Sequence, residues 1–277
     1  MTNFPAPAEL TQHGPARVIS LCNQKGGVGK TTTTISLAGA LVEMGRRVLV
    51  VDFDPQGALT AGLSASAHDV PTVYELLLGE KNPNTGEAYQ AQDVIQATKL
   101  DGLHIMPANI DLSAAEVQLV NEVAREHVLS RVLKPILKDY DVILIDCQPS
   151  LGLLTVNALT TSHGVLIPLA CEYFALRGVS LLLDTVEKVK QRLNPLIELD
   201  GIVPTMYDPR TLHSAEVLEL VKQNLGDKVL ETTIKRTVKF PDSTVVGTPI
   251  TVFAPDHQAA EAYRTLAKEL IFRGKIA

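Results

Sequence analysis

The sequence predicts a single α/β domain with a mainly parallel, twisted sheet and helices on both faces of that sheet. Short runs that are apolar throughout, such as residues 18–22 and 48–51, indicate strands that are covered on both faces. Helical patterns lie between most of these runs, and strands that alternate with helices are typical of βαβ units. The 277 residues fit one large domain or two small ones, and no internal repeat or long linker divides them.

The predicted elements follow from hydrophobic periodicity. The predicted strands are residues 18–22, 48–51, 103–106, 142–145, 165–169 and 202–205. The predicted helices are residues 31–44, 122–137, 179–193 and 214–225, and a final helix places Ala259, Tyr263, Leu266 and Leu270 on one face. Gly45 supplies a stop just past the first helix, and the polar residues 79–92 predict a surface loop.

Residues 1–16 are not predicted to be a signal peptide, and residues 147–171 are not predicted to span a membrane. Residues 1–16 contain three prolines and lack the apolar run of a signal peptide, so they predict a flexible N-terminal arm before a domain over residues 17–277. Residues 147–171 carry no formal charge, which raises the question of a membrane span. Their polar side chains, prolines and glycine instead predict buried core segments joined by a turn.

Composition narrows the possible functions. With 25 Lys and Arg against 31 Asp and Glu, the chain is not coated in positive charge, although a local basic patch remains possible. The scarcity of aromatic residues makes stacking platforms for single-stranded nucleic acid unexpected. Cys22, Cys147 and Cys171 are too few and too widely spaced for a disulfide framework or a four-cysteine zinc site. They predict buried, reduced thiols.

A glycine-rich segment, QKGGVGKTT at residues 24–32, lies between the first predicted strand and the first predicted helix. In that context, glycines let backbone N–H groups converge on phosphate oxygens, and the helix N-terminus adds partial positive charge. We expect Lys30 to reach the β- and γ-phosphates and Thr31 to ligate Mg²⁺. The alternative is a strand–helix turn without a ligand. The predicted nucleotide-binding residues here are Lys25, Gly26, Gly27, Val28, Gly29, Lys30, Thr31 and Thr32.

Acidic residues follow two of the predicted strands. Asp52 and Asp54, two positions apart at the end of the second strand, can project to the same side beside the glycine-rich loop. Asp146 follows four apolar residues, and this pattern has the form of a Walker B strand. We therefore expect Asp146 to hold Mg²⁺ through water. The alternative is that one aspartate caps the next helix, which is more plausible for Asp52.

The loop departs from the ordinary phosphate-binding pattern, because Gln24 replaces its first glycine and Lys25 precedes the remaining ones. Here the sequence resembles the deviant Walker A ATPases, and among them the ParA/Soj partition ATPases, with MinD, the nitrogenase iron protein and ArsA as cousins. The resemblance covers nearly everything after residue 17, including residues 172–178 and the segment TMYDPRT at residues 205–211. Gln148 departs from it, because the family has proline there.

The resemblance implies a role for several residues. Lys25 would reach across an ATP-sandwich homodimer to the partner's phosphates, and would share the catalytic role with Lys30 and Asp54, which would position the attacking water. Asp52 would serve the outer shell of the metal or support the loop, so that the metal residues are Thr31, Asp52 and Asp146. Met206 and Pro249 would lie beside the adenine base. The implied cofactors are ATP (or ADP) and Mg²⁺.

A basic segment near the C-terminus carries Lys228, Lys235, Arg236 and Lys239. By the resemblance, Arg210, Arg236 and Lys239 would bind double-stranded DNA without sequence specificity, and the partner would be a ParB-type centromere-binding protein. The implied location is cytoplasmic and nucleoid-associated. The alternative for this segment is a solvated face.

Three other functions are alternatives for this sequence. A MinD-like membrane switch needs an amphipathic tail, and residues 271–277 are short and interrupted by Gly274. An iron–sulfur reductase needs cysteines placed at a dimer axis, and no thiol here has that context. A metabolic amide or biotin-pathway ligase is a further alternative, with ATP turnover that would need no DNA or protein partner.

Overall fold

A computed structural model describes residues 4–172 and 175–277, and its described strands form one seven-stranded sheet. The strands are β1 (Arg17–Leu21), β2 (Val48–Phe53), β3 (Gln96–Ala97), β4 (Leu103–Met106), β5 (Val142–Cys147), β6 (Gly164–Ala170) and β7 (Glu198–Thr205). Their order across the sheet is β3-β4-β2-β5-β1-β6-β7, and only the β3–β4 pair is antiparallel among them.

The helices connect these strands. They are α1 (Lys30–Glu43), α2 (Ala58–Gly62), α3 (Val73–Leu78), α4 (Ala91–Val94), α5 (Leu112–Gln118), α6 (Val128–Leu133), α7 (Leu153–Thr161), α8 (Ala175–Arg192), α9 (Leu212–Leu225), α10 (Lys239–Val246), α11 (Ile250–Phe253) and α12 (Gln258–Phe272). The carboxyl ends of the central strands therefore meet at one edge of the sheet, where α1 also begins.

Two apolar layers cover the sheet. Leu49 and Val51 of β2 belong to the layer that contains α5 and α7, whereas Val48 and Val50 belong to the layer that contains α1 and α12. Every residue of β2, β5 and β6 is buried, which is why these strands read as continuous apolar runs. The predicted α/β fold, with helices on both faces of a mostly parallel sheet, is confirmed.

The predicted strands and most predicted helices are confirmed, but the predicted helix over residues 122–137 is wrong. There the structure has only the short α6, flanked by 3₁₀ turns at Arg125–His127 and Lys134–Asp139. Ala124 adopts a left-handed conformation with φ of 55°. Pro135 has no N–H to donate and clashes with the preceding turn of an α-helix. The helical spacing of apolar residues thus continues through this segment, although its backbone is α-helical only over α6.

The remaining expectations concern the loop, the uncharged stretch and the last helix. Residues 79–92 are mostly exposed, although Lys81 and Ala88 pair across them as an antiparallel bridge. Residues 147–171 contain α7 and the fully buried β6. The predicted apolar face of α12 is buried. Within the described residues, no helix combines the length and the apolar character that crossing a membrane requires.

The predicted N-terminal arm lies against the domain. From residue 4 to residue 16 it has no helix or strand, yet Phe4 is buried and packs on Phe272 with ring centroids 5.7 Å apart. Further along, His13 Nδ1 lies 2.8 Å from a carboxylate oxygen of Asp141, and the backbone N–H of Gly14 donates to the other oxygen. The flexibility of this arm and the domain boundary at residue 17 stay predictions.

Candidate active site

The glycine-rich loop joins β1 to α1 at the carboxyl edge of the sheet. Gly27 and Gly29 have φ of 72° and 87°, a left-handed conformation that glycine adopts without steric cost. Two hydrogen bonds fix the loop to neighbouring strands. Thr205 Oγ1 of β7 donates to Val28 O across 2.8 Å, and Asn23 Nδ2 donates to Pro168 O of β6 across 2.8 Å. Backbone N–H groups and the start of a helix therefore converge there, as phosphate binding requires.

Two lysines of the loop have different environments. Lys30 is buried, and its Nζ donates to the backbone carbonyl of Lys25 across 3.4 Å, so its ammonium stays within its own loop. The Lys25 side chain is 48% exposed and forms an ion pair with Glu172. One cation thus belongs to the interior of the site, and the other belongs to its outer surface.

Thr31 and Asp146 meet behind the loop. The Thr31 hydroxyl donates to Asp146 Oδ2 across 2.6 Å, and Asp146 pairs in register with Asp52 of β2. Burial, reinforced by the neighbouring charge of Asp52, raises the pKa of Asp146 to about 7. Two buried carboxyl groups beside a threonine hydroxyl form a hard, oxygen-rich environment, which is the donor chemistry that fits Mg²⁺. The nearby positive charge of Lys30 only partly offsets the rise in the pKa of Asp146.

Asp52 and Asp54 have separate surroundings. Asp52 Oδ2 accepts from both the backbone N–H and the hydroxyl of Thr60, at 2.8 and 2.6 Å, so it fixes α2 to the end of β2. Burial raises the pKa of Asp52 to about 7. Asp54 is half-buried, and its Oδ1 accepts from the backbone N–H of Gln56 across 3.0 Å. The contacts of Asp52 favour loop support over a metal role.

Gln148, which stands where the family has proline, joins the loop after β5 to α5. Its Nε2 donates to Glu116 Oε1 across 3.0 Å, and the same oxygen accepts from the N–H of Leu154 in α7. The backbone N–H of Gln148 donates to the carbonyl of Phe53, next to Asp54. Where a proline ring would restrict the backbone, Gln148 is held by two hydrogen bonds. Its side chain donates to α5, and its backbone N–H donates to the end of β2.

The thiols lie where the sequence predicts. Cys22 and Cys147 are buried below the glycine-rich loop with their sulfur atoms 3.2 Å apart, and Cys171 is also buried. Burial raises the pKa of the Cys147 thiol well above its ordinary value. All three are free thiols.

A cavity of about 280 Å³ opens between the segment after β7, residues 231–237 and the start of α12. Its lining includes Tyr207, Lys235, Thr237, His257 and Gln258. Tyr207 and Lys235 belong to motifs singled out from the sequence, whereas His257 and Gln258 were missed, since a lone histidine or glutamine gives no signal without the fold. The adjoining residue Met206 has its Cε 3.9 Å from the position that a methyl group on Gly29 would occupy, so it touches the loop directly.

The structure separates Pro249 from the loop that Met206 contacts. A methyl group on Gly39 would lie only 2.5 Å from Pro249 Cβ, so this proline packs on the middle of α1. Gly39 lies nine residues after Lys30, which is roughly 14 Å along the helix. Among the described residues, the lining of the 280 Å³ cavity does not include Pro249.

The structure brings Arg210 and Arg236 together. Both line a second cavity of about 580 Å³, which Lys235 also lines. Arg210 is exposed and binds Asp208 in bidentate fashion, with Nε 3.0 Å and Nη2 2.9 Å from its two carboxylate oxygens. These hydrogen bonds lower the pKa of Asp208 to about 2. The charge of Arg210 is therefore locally compensated.

Lys239 begins α10, three residues after Arg236. Its Nζ lies 3.8 Å from a carboxylate oxygen of Asp242 and 5.9 Å from the ring centroid of Phe253. It is not among the described lining residues of the 580 Å³ cavity that Arg210 and Arg236 share.

Comparisons with known proteins agree with this geometry. Residues 16–199 match the family model of an AAA domain. The chain is 44% identical to the chromosome-partitioning ATPase Soj of Treponema pallidum over 257 residues, which cover 93% of this chain and 98% of that protein.

Solved structures show the same fold. A structure described as cobyrinic acid a,c-diamide synthase of Mycobacterium smegmatis, with bound ADP and magnesium, is 41% identical, with a TM-score of 0.81 and coverage of 94% of this chain and 96% of that one. The cell division ATPase MinD of Pyrococcus furiosus is 27% identical, with a TM-score of 0.75 and coverage of 92% and 98%. With nearly the whole length matched at such identity, the chain belongs to the ParA/Soj family of chromosome-partitioning ATPases.

Proposed function

We propose that this protein is an ATP-driven partitioning ATPase that works as a nucleotide-gated homodimer. ATP closes the dimer, the dimer binds double-stranded DNA without sequence preference, and hydrolysis to ADP and phosphate releases it. The observation that carries the proposal is the contrast between the two loop lysines. Lys30 is buried within its own loop, whereas Lys25 is exposed at the surface, where it can reach the phosphates of a second copy.

Nucleotide binding is assigned to the residues of the loop. Its backbone N–H groups and the start of α1 would hold the phosphates, and Lys30 would neutralise the β- and γ-phosphate charge. Thr31 and Asp146 would hold Mg²⁺, which would supply positive charge to neutralise the phosphates. Binding of a dication would also offset the electrostatic cost of the buried Asp52 and Asp146 pair.

We assign the adenine base to the 280 Å³ cavity. Met206 contacts the loop and precedes Tyr207, which lines the cavity, so a nucleotide with its phosphates in the loop can extend its base there. The amide of Gln258 and the hydroxyl of Thr237 supply hydrogen-bond partners for the base edge. Pro249 supports α1, and its predicted contact with the base is not part of this assignment.

Hydrolysis is assigned to Asp54 and to the Lys25 of the second copy. Asp54 lies at the carboxyl edge of the sheet, where its free oxygen can orient the attacking water. Lys25 would stabilise the charge of the transition state from outside the subunit. Asp52 holds the Asp54 segment in place through Thr60.

DNA binding is assigned to the surface around Arg210 and Arg236, bordered by Lys239. Dimerisation doubles these cations, which favours ATP-dependent binding to phosphates on a chain whose net charge is −6. We further propose a ParB-type centromere-binding protein as the partner that stimulates hydrolysis, and an association with the nucleoid.

Light scattering coupled to size exclusion tests this function. We expect the 29.9 kDa chain to elute as a monomer alone and at about twice that mass with Mg²⁺ and a slowly hydrolysed ATP analogue. Only the dimer should bind duplex DNA. Lys25→Ala should bind the analogue but dimerise far more weakly than the wild type. A wild-type monomer at saturating analogue contradicts the proposal.

A second candidate function is amide synthesis, because of the activity that the Mycobacterium smegmatis structure carries in its description. Amide formation needs a nitrogen donor, and release of ammonia from glutamine commonly uses an activated cysteine thiolate. All three cysteines here are buried. Steady-state ATP turnover with cobyrinic acid and glutamine or ammonia separates the two candidates. The partitioning function predicts no stimulation by these compounds.

A MinD-like membrane switch is less favoured by the last residues of the structure. Phe272 packs on Phe4, Lys275 pairs with Glu198, and Ile276 is buried. These contacts hold the segment against the domain, although Phe272 is still 64% exposed. Co-sedimentation with anionic liposomes in the presence of ATP tests this directly, since strong pelleting would favour the membrane function.

A further inference from the structure

Lys25 is engaged within its own subunit. Its ammonium forms an ion pair with the carboxylate of Glu172, and the two side chains are 48% and 50% exposed. The contact spans 147 residues and joins the start of the glycine-rich loop to the segment that follows β6. The backbone N–H of Lys25 is also fixed, since it donates to Asn23 Oδ1 across 3.0 Å. The lysine is therefore held by both its backbone and its charge.

This contact competes with the proposed role of Lys25, so the inference rests on the proposed function. In the dimer, Lys25 must bring its ammonium to the phosphates of the partner subunit's nucleotide. A compact ammonium that is bound to Glu172 on one subunit cannot simultaneously take its place among those phosphates. The Lys25–Glu172 pair must therefore break when the dimer closes.

A second cation lies near Glu172. The positive charge of Arg236 acts on the same carboxylate, after the larger effect of Lys25, and both lower the pKa of Glu172. Arg236 is exposed and lines the basic cavity next to Arg210. When Lys25 leaves, Glu172 therefore keeps a cationic neighbour, and the carboxylate is not left with uncompensated charge.

We propose that Glu172 is a positioning residue that holds Lys25 in the free subunit and thereby sets the concentration at which ATP closes the dimer. The triphosphate must outcompete a carboxylate that already holds the lysine. Removing the charge of Glu172 releases Lys25 and favours closure. The interaction is a surface ion pair, so its effect is graded and does not switch dimerisation on or off by itself.

Sedimentation equilibrium with Mg²⁺ and a slowly hydrolysed ATP analogue tests this on the full chain. Each dimer breaks two such pairs, so Glu172→Gln should tighten the dimer dissociation constant by about two- to thirty-fold. The matched control is Glu198→Gln, which removes an exposed Lys–Glu pair with Lys275 at the opposite end of β7. That control should leave the constant unchanged, because it lies roughly 23 Å along the strand from the site.

A double-mutant cycle isolates the pair. In a Lys25→Gln background, Glu172→Gln should no longer tighten the dimer, because the lysine that it releases is absent. If wild-type protein dimerises but Glu172→Gln weakens the dimer or matches Glu198→Gln, the proposed role of Glu172 is wrong while the partitioning function stands. If wild-type protein stays monomeric with bound analogue, the partitioning function itself fails. Glu172→Ala provides the same readout should the glutamine variant misfold.

Discussion

The Thr31 hydroxyl donates to Asp146 Oδ2 across 2.6 Å, which ties the first turn of α1 to the carboxyl end of β5. Asp146 also lies directly beside Asp52 on the neighbouring strand. Two buried carboxyl groups therefore lie side by side. Burial is the main cause that raises the pKa of each to about 7, and their mutual proximity adds to the rise at Asp146.

Stability of the magnesium-free, nucleotide-free protein should depend on this pair. The folded pKa values of about 7 lie above the ordinary value of 3.8, so the folded state binds more protons than the unfolded state between these values. The contribution of the pair to the free energy of unfolding therefore falls as pH rises from about 4 to 7, by at most about 1.4 kcal/mol per pH unit for each group.

Denaturant unfolding at pH 5 to 8 checks this dependence. Asp146→Asn should flatten the fall across that window and should be more stable than wild type at pH 8, because it removes a buried charge. The same substitution should weaken magnesium-dependent nucleotide binding. If the pH dependence of Asp146→Asn matched that of the wild type, the pair would be ionised in the folded protein at no cost in the free energy of unfolding.

Lys30→Ala should abolish measurable ATP binding. The buried ammonium would make charge-assisted hydrogen bonds to the phosphates, and its loss should weaken affinity by about a hundred-fold or more. Isothermal titration with Mg-ATP measures the change. Lys188→Ala, which removes an exposed lysine of α8, serves as the control. Retained affinity in the Lys30 variant would refute the assignment of the phosphate loop.

The parts of the fold and site that the sequence could predict are those with local signals. The strands around Asp52 and Asp146 are covered on both faces, so their apolar runs are unambiguous. The phosphate loop is recognisable because its glycines and lysines follow one another within a few residues. The helix over residues 122–137 was predicted wrongly, because the spacing of apolar residues carries no information about the left-handed conformation of Ala124.

Contacts between distant segments carry no such signal. Lys25 meets Glu172 and Asp52 meets Thr60 only because the sheet brings the ends of different strands together. The same holds for Gln258, whose place in the proposed base cavity depends on the start of α12 lying beside the segment after β7. Pro249 packs on the middle of α1, and its contact with the base stays a prediction.

Asp54→Ala should bind ATP and dimerise but should not hydrolyse, which traps the DNA-bound state. Because Asp54 Oδ1 also accepts from Gln56 N, loss of the side chain could disturb the turn. Asp54→Asn keeps that acceptor while it removes the carboxylate, so it should show the same loss of about 10²–10⁴ in kcat. Single-turnover phosphate release measures it. Hydrolysis at the wild-type rate in the asparagine variant would move the water-positioning role elsewhere.

Arg210→Ala should weaken ATP-dependent binding to duplex DNA equally for all sequences. Each lost phosphate contact should reduce the slope of log K against log[salt] by about 1. Lys239→Ala should act in the same direction, and Lys188→Ala should not. Conversely, Asp208→Asn should tighten DNA binding, because it frees Arg210 from its bidentate partner. A salt titration by fluorescence anisotropy that shows unchanged slopes in both Arg210 and Lys239 variants would exclude this surface.

Glu269 should prove essential to stability. It is fully buried on α12, where it accepts from the N–H groups of Glu231 and Thr232 and pairs with Arg273 at 2.8 Å. Its removal leaves buried donors and a cation without their acceptor, so Glu269→Ala should lower the free energy of unfolding by about 3–5 kcal/mol. Denaturant unfolding measures this loss against that of Glu261→Ala, an exposed glutamate on the same helix. Equal losses would mean that the segment before Arg236 is held by packing rather than by this carboxylate.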